Sequence, residues 1–112
     1  MLDPTIGALS HYMDLLSARQ KLVASNIANA DTPGYKTQDI DFQFEFASLT
    51  QNQPPQVVQP LGLTAKPDGN NVSMDREARL LAEDAIRFNL ASTLVRNELK
   101  LIRNAIEEGK NS

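Results

Sequence analysis

SNIANADTPGYK, residues 25–36, is the stretch on which the fold turns. It ends a long helical pattern in two steps. Asn26, Asn29 and Asp31 are poor helix-interior residues, because short polar side chains compete for the nearby backbone. Thr32-Pro33-Gly34-Tyr35 then predicts a turn. Pro33 presets φ at the second turn position, and Gly34 supplies the positive φ that a type II turn needs at the third. Pro33 also drives Thr32 out of the helical region. The chain before this stretch is one helix, and the chain after it must return to that helix.

Upstream, Asp3 is the expected cap and Pro4 the first helical residue. Leu2, Ile6, Leu9, Met13, Leu16, Gln20, Val23, Ile27 and Ala30 are spaced by alternating fours and threes. That is a heptad seam with one polar member, Gln20. A helix from Pro4 to Ala30 spans roughly 40 Å at ~1.5 Å per residue. Downstream, Ile40, Phe42, Phe44 and Phe46 alternate with Asp39, Asp41, Gln43 and Glu45, which predicts a half-buried strand. Pro54, Pro55, Pro60 and Pro67 then exclude a long helix or central strand and leave a short edge strand at Val57-Val58. Pro67-Asp68-Gly69-Asn70 is a second turn signal.

The last helix opens near Ser73, an expected N-cap, with Asp75 and Glu77 against its positive end. Asp75–Arg79 and Glu83–Arg87 are favourable i,i+4 pairs, and Gly109 is the expected C-cap. Met74, Ala78, Leu81, Ala85, Phe88, Ser92, Val95, Leu99, Ile102 and Ile106 form a second heptad seam. The fold class is therefore mainly α. Two long heptad helices pack as an antiparallel coiled-coil-like pair, with a short extended segment and a Pro-rich loop between them. The chain divides as one domain, 1–112: N-terminal helix 1–31, turn, strand and loop 32–73, C-terminal helix and tail 74–112. The expected intrachain seam is Ile6, Leu9, Met13, Leu16, Val23 and Ile27 against Leu81, Phe88, Val95, Leu99 and Ile102. Pairing a with d positions sets Gln20 opposite Val95 or Phe88.

A second stripe lies at position c of both helices: Ala8, Leu15 and Leu22, then Leu80, Leu94 and Leu101. A bare hairpin would leave these leucines in water. One alternative is a three-layer domain in which the 40–46 strand covers the c stripe. One short strand cannot cover two helices of this length, so packing against other copies is the expectation.

The 112 residues carry a net charge of −3 and no Cys. The charge argues against a nucleic-acid surface. The missing Cys removes disulfides, thiolate metal sites and Cys nucleophiles. No apolar run approaches the roughly 20 residues of a membrane span. MLDPTIGALS has neither a basic nor a continuous apolar region, so no cleaved secretory signal is expected. His11 falls at an f-type position and reads as solvated. Asp39, Asp41 and Glu45 read as a solvated strand face, and Arg76, Arg79, Arg87, Arg96 and Arg103 as a solvated helix face. Asp68-Gly69-Asn70-Asn71 resembles a calcium loop but fails at Val72, Ser73 and Arg79. Asn71-Val72-Ser73 matches a glycosylation acceptor at the level of chance. No residue set supports catalysis. No cofactor, metal or small-molecule substrate is expected.

The stretch 25–36 also resembles the N-terminal signature of the bacterial flagellar rod and hook family, an Asn-Ile-Ala-Asn element leading into Thr-x-Gly-Tyr. Pro33, Lys36 and Asp39-Ile40-Asp41-Phe42 are similar to its proximal-rod members. Residues 68–77, DGNNVSMDRE, are similar to the segment that opens their C-terminal helix. Arg87-Phe88-Asn89-Leu90-Ala91 stands where sister proteins carry a Tyr-Gln-Ala-Asn type motif, and the connection is shorter than the family's. The resemblance implies a structural subunit of the rod that transmits torque. It implies export, unfolded and uncleaved, through the flagellar type III apparatus into the periplasmic space. The implied partners are other copies, other rod proteins, and base-of-rod and MS-ring components. It implies that Leu15, Leu22, Leu94 and Leu101 touch adjacent subunits. Asn26, Ile27, Asn29, Asp31, Pro33, Gly34 and Tyr35 would shape the bend and its contact with a neighbour. Leu2 and Ile6 are candidates for an export-recognition patch. The competing function is a cytoplasmic helical-hairpin adaptor or export chaperone, with a client on the c stripe.

Overall fold

The computed structural model describes residues 4–48 and 53–111. Its elements are α1 (Pro4–Ala28), β1 (Asp39–Ile40), α2 (Phe42–Ala47), β2 (Val57–Val58) and α3 (Met74–Asn111). The two long helices pack as the expected antiparallel pair: Arg19 of α1 meets Asp84 of α3, and Asn26 meets Glu77. The expected cap Asp3 and export residue Leu2 lie outside the described residues. Ser73 caps α3, its Oγ accepting from the Arg76 amide at 3.3 Å. Gly109 does not end α3, which continues to Asn111. Glycine costs a helix interior only about 1 kcal/mol relative to Ala, which one residue near the end of a long helix tolerates.

The molecule measures 71 × 26 × 18 Å. Most of that length is α3, 38 residues or roughly 57 Å at ~1.5 Å per residue. The pairing of Arg19 with Asp84 brings Pro4 level with Leu99, so the last turns of α3 run on past the described start of α1.

Residues 40–46 are not the expected strand. The strand stops at Ile40, where β1 pairs antiparallel with β2 through Asp39–Val58 and Ile40–Val57. Asp41 then caps a helix, its Oδ1 accepting from the Phe44 amide at 3.1 Å. Alternate aromatics serve a helix as well as a strand, because Phe42 and Phe46 are also four apart and share a helix face. Tyr12 meets both rings edge-on, with centroids 5.4 and 5.7 Å away. Phe44, between them, points outward and is 62% exposed. His11 is half-buried and not solvated. Its ring stacks on Phe46, and Nε2 donates to the Glu45 carbonyl at 3.0 Å.

The apolar core consists of Ile6, Leu15, Leu16, Val23, Ile40 and Ala91. On α1 the seam packs inward: Ile6, Leu16 and Val23 are buried, and Leu9, Met13 and Ile27 half-buried. On α3 the expected seam is displaced. Leu81, Phe88 and Leu99 are exposed at 44%, 36% and 47%, and only Val95 and Ile102 are half-buried. The line Glu77, Asp84 and Ala91 faces α1 instead, rotated by about a sixth of a turn from the apolar stripe. The reason is electrostatic. Arg19 lies beside buried Leu15 and Leu16 and needs a carboxylate, and this rotation brings Asp84 to it. The register differs too. The Gln20 amide donates to the Leu81 carbonyl at 3.3 Å, so Gln20 sits at the level of Leu81 and not of Val95.

Candidate functional site

The two motifs that lie far apart in the chain form one junction. Thr32 to Tyr35 makes the expected turn, with the Tyr35 amide donating to the Thr32 carbonyl at 3.2 Å and Gly34 at φ 76°. Gly69, at φ 89°, closes the second turn by donating to Lys66 O at 2.8 Å. The two turns touch. Gly34 N–H donates to Asp68 O at 2.9 Å, and a Cβ on Gly69 would stand 3.4 Å from Gly34 Cα.

Two buried asparagines tie this junction to the helices. Asn26 is fully buried at the end of α1. Its Nδ2 donates to Gln38 O at 2.9 Å and to Glu77 Oε1 at 2.6 Å. Its Oδ1 accepts from Tyr35 OH at 3.1 Å and the Gln38 amide at 3.0 Å. One side chain therefore joins α1, the returning chain and the first turn of α3. Asn70, also fully buried, donates to Asn29 O at 2.9 Å and Thr32 O at 2.8 Å. These carbonyls, just beyond the end of α1, also accept the Thr32 and Tyr35 amides. Lys66 Nζ adds a bond to Ala30 O at 3.0 Å, and Lys36 Nζ donates to Gly69 O. Thr37 is buried against Asn71, whose Oδ1 accepts from the Thr37 amide at 2.6 Å.

Ion pairs tie this layer together as well. Arg76 bridges Asp39 and Glu77, the latter at 2.7 Å. Asp39 and Arg76 are thus structural partners and not solvated surface. Lower down, Arg19 grips Asp84 with two bonds, Nε to Oδ2 at 2.8 Å and Nη2 to Oδ1 at 2.7 Å. The Arg19 guanidinium lies 4.7 Å from the Phe42 ring centroid. Its bond to Asp84 raises the Arg19 pKa despite the opposing effect of burial.

The arrangement ties the two long helices to the returning chain. Among the described residues, no buried side-chain polar atom lacks a partner, and no cluster of His, Asp and Glu is arranged to hold a metal. Asp68 Oδ1 and Asn70 Oδ1 accept from the Asn70 and Val72 amides, each at 2.9 Å.

The residues singled out from sequence separate into groups. Asn26, Asn29 and Tyr35 lie within the junction, Asn29 donating to Ser25 O at 2.8 Å. Asp31, Pro33 and Gly34 are on its exposed rim, and Ile27 is half-buried. Leu15 is only 3% exposed, so it belongs to the interior of this chain and not to an outer stripe. Ile6, proposed for an export patch, is likewise buried. Leu22 is half-buried in a groove with Ile40, Pro55 and Val57. Leu94 and Leu101 are exposed, at 45% and 63%. Arg19, Asp84 and Asn70 carry much of the geometry, yet heptad spacing did not mark them. A usable signal existed: Arg19 and Asn26 are seven residues apart, as are Glu77 and Asp84.

Comparison with known proteins bears on this junction directly. The family described as flagella basal body rod protein matches residues 13–36, the second half of α1 and the first turn. The flagellar basal body rod protein FlgB of Yersinia enterocolitica is 31% identical over 97% of this chain and 100% of its own length. Its counterpart in Salmonella typhimurium is 31% identical over 96% of both chains. That of Escherichia coli K12 is 29% identical over 96% of both. The Yersinia alignment runs over 137 positions against the 112 residues here, so that relative holds residues without a counterpart in this chain.

Proposed function

This chain belongs to the FlgB family of flagellar basal body rod proteins, and from that premise we propose that it is a structural subunit of the proximal rod. Copies assemble by packing their long helices and transmit torque along the rod. The subunit travels unfolded through the flagellar type III apparatus, without cleavage, and assembles in the periplasmic space. Its partners are other copies, other rod proteins and components at the base of the rod and the MS ring. Leu94 and Leu101 contact neighbours. The exposed rim of Asp31, Pro33 and Gly34 faces an adjacent subunit, held in shape by Asn26, Asn29 and Tyr35. The protein is a scaffold and not an enzyme.

One observation supports this reading above the others. The long helix α3 keeps large apolar residues in water along most of its length, while its own partner helix takes a polar face. A monomer gains nothing from that arrangement, whereas a subunit does. The test is deletion of the gene and restoration with a tagged copy. Loss of motility on deletion, with the tagged protein recovered in purified basal bodies, is the expected result. Motile deletion cells with the protein confined to the cytoplasm would overturn it.

A further inference from the structure

Two features of the helix pair belong together. The apolar stripe of α3, with Leu81, Phe88, Leu99 and Ile106, is exposed. The face turned to α1 carries two buried polar ties one heptad apart, Arg19–Asp84 and Asn26–Glu77. We propose that these ties act as a rotational selector: they hold the stripe outward so that it receives a helix of a second copy. The proposal rests on the rod reading for the identity of that copy.

Without the ties, α3 would be free to turn its stripe toward α1. Its stripe and the seam of α1 have matching heptad spacing, so the two would close on each other, as coiled-coil helices do. The rotation needed is only about a sixth of a turn. In that closed hairpin Arg19 would lose Asp84 and Asn26 would lose Glu77. Each would be a buried polar group without its partner. A buried polar layer that specifies one helix arrangement over a more apolar rival is the best-attested use of such groups. Here it would act on rotation. Arg19 and Asp84 are then positioning residues for the interface, and do not belong to it.

The occupant is set by length and spacing. The stripe runs from Leu81, beside α1, to Ile106, beyond the level of Pro4, with Leu81, Phe88, Leu99 and Ile106 exposed, Val95 and Ile102 half-buried and Ser92 its one polar member. Of these 112 residues, those outside the described ones are 1–3, 49–52 and 112, too few to cover it. Alternating fours and threes fit a helix and not a strand or loop. A groove between Ser17, Gln20 and Lys21 of α1 and Leu81, Ala85 and Phe88 of α3 opens onto the same stripe. The groove is the near end of the stripe, where a helix lying along it would meet α1 as well as α3.

The test uses the full chain and exploits its lack of cysteine. Leu81→Cys reports the rotation through its rate of thiol alkylation. Adding Arg19→Leu and Asp84→Leu should leave a folded, helical protein in which the introduced thiol reacts several-fold more slowly, and which no longer enters basal bodies. Exchanging the pair, Arg19→Asp with Asp84→Arg, should restore both readouts. Unchanged alkylation in the folded leucine variant would overturn the selector. Slowed alkylation with normal incorporation would overturn the interface. Leu99→Asp guards against a folding failure, since Leu99 lies at the far end of the pair. It should keep its helix content and lose incorporation, and normal incorporation would again overturn the interface. The alkylation readout does not depend on the rod assignment, so failure of the selector and failure of that assignment are distinguishable.

Discussion

Asn26 has two N–H bonds and two acceptor sites, and all are used inside the protein. Asn26→Leu keeps a similar volume but takes a partner from Glu77 and from Tyr35, which retain Arg76 and Ser25, and removes both bonds to the backbone of Gln38. The expected loss is about 3 kcal/mol or more, read as a fall in thermal midpoint. Gly34 differs in kind. A Cβ there meets nothing within 4 Å, so its requirement is the positive φ alone. Gly34→Val should cost about 2 kcal/mol, and Gly34→Asn clearly less, because Asn tolerates the left-handed region. Equal midpoints for the two variants would refute that account. At this scale the sequence was legible where chemistry is local. The turn at Thr32–Tyr35 follows from Pro33 and Gly34, and the cap at Ser73 from its hydroxyl. Burial of Asn70 was not legible, because its acceptors lie at Asn29 and Thr32, far away in the chain.

α2 shows how a short element is decided by its neighbours. Phe-x-Phe-x-Phe suits a strand or a helix turn equally. Asp41 and the aromatic ring of Tyr12 settle it as a helix. Asp41→Ala should therefore destabilise α2 by about 1 kcal/mol. Faster hydrogen exchange at the Glu45 and Ser48 amides, with little change in the global midpoint, is the expected signature. The same segment covers part of α1, as in the three-layer alternative for the c stripe, though as a helix. α3 shows the opposite case. Its helicity was plain in the sequence, but the face it would bury was not.

Across the whole molecule the polar contact between α1 and α3 carries a distinctive energetic pattern. The Arg19 and Asp84 side chains are 10% and 0% exposed. Removing either partner strands a buried charge, so Arg19→Ala and Asp84→Ala should each cost about 3 kcal/mol. The double variant should cost much less than their sum, a coupling that chemical denaturation can read. Additive losses would show that the pair is not a unit. The pH dependence has a definite sign. Arg19 has a raised pKa in the folded state, so its contribution is complete below its ordinary value and is lost as pH rises from there through the raised one. Ordinary buffers lie far below both. Arg19 itself should therefore add no pH dependence to stability between neutral and mildly alkaline conditions.

By itself the sequence determined two long helices, their antiparallel return, the two glycine turns and the family signature. These rest on periodicity, caps and φ preferences, which act over a few residues. Only the tertiary structure decided the rotation of α3, the burial of Leu15, the helix at Phe42–Ala47 and the meeting of the two motifs. Hydrophobic burial is non-directional, so either face of an amphipathic helix with two apolar stripes can turn inward. Buried charges and amides are directional and must find partners. Those partners, Arg19 with Asp84 and Asn26 with Glu77, come from opposite ends of the chain and meet only once it has folded.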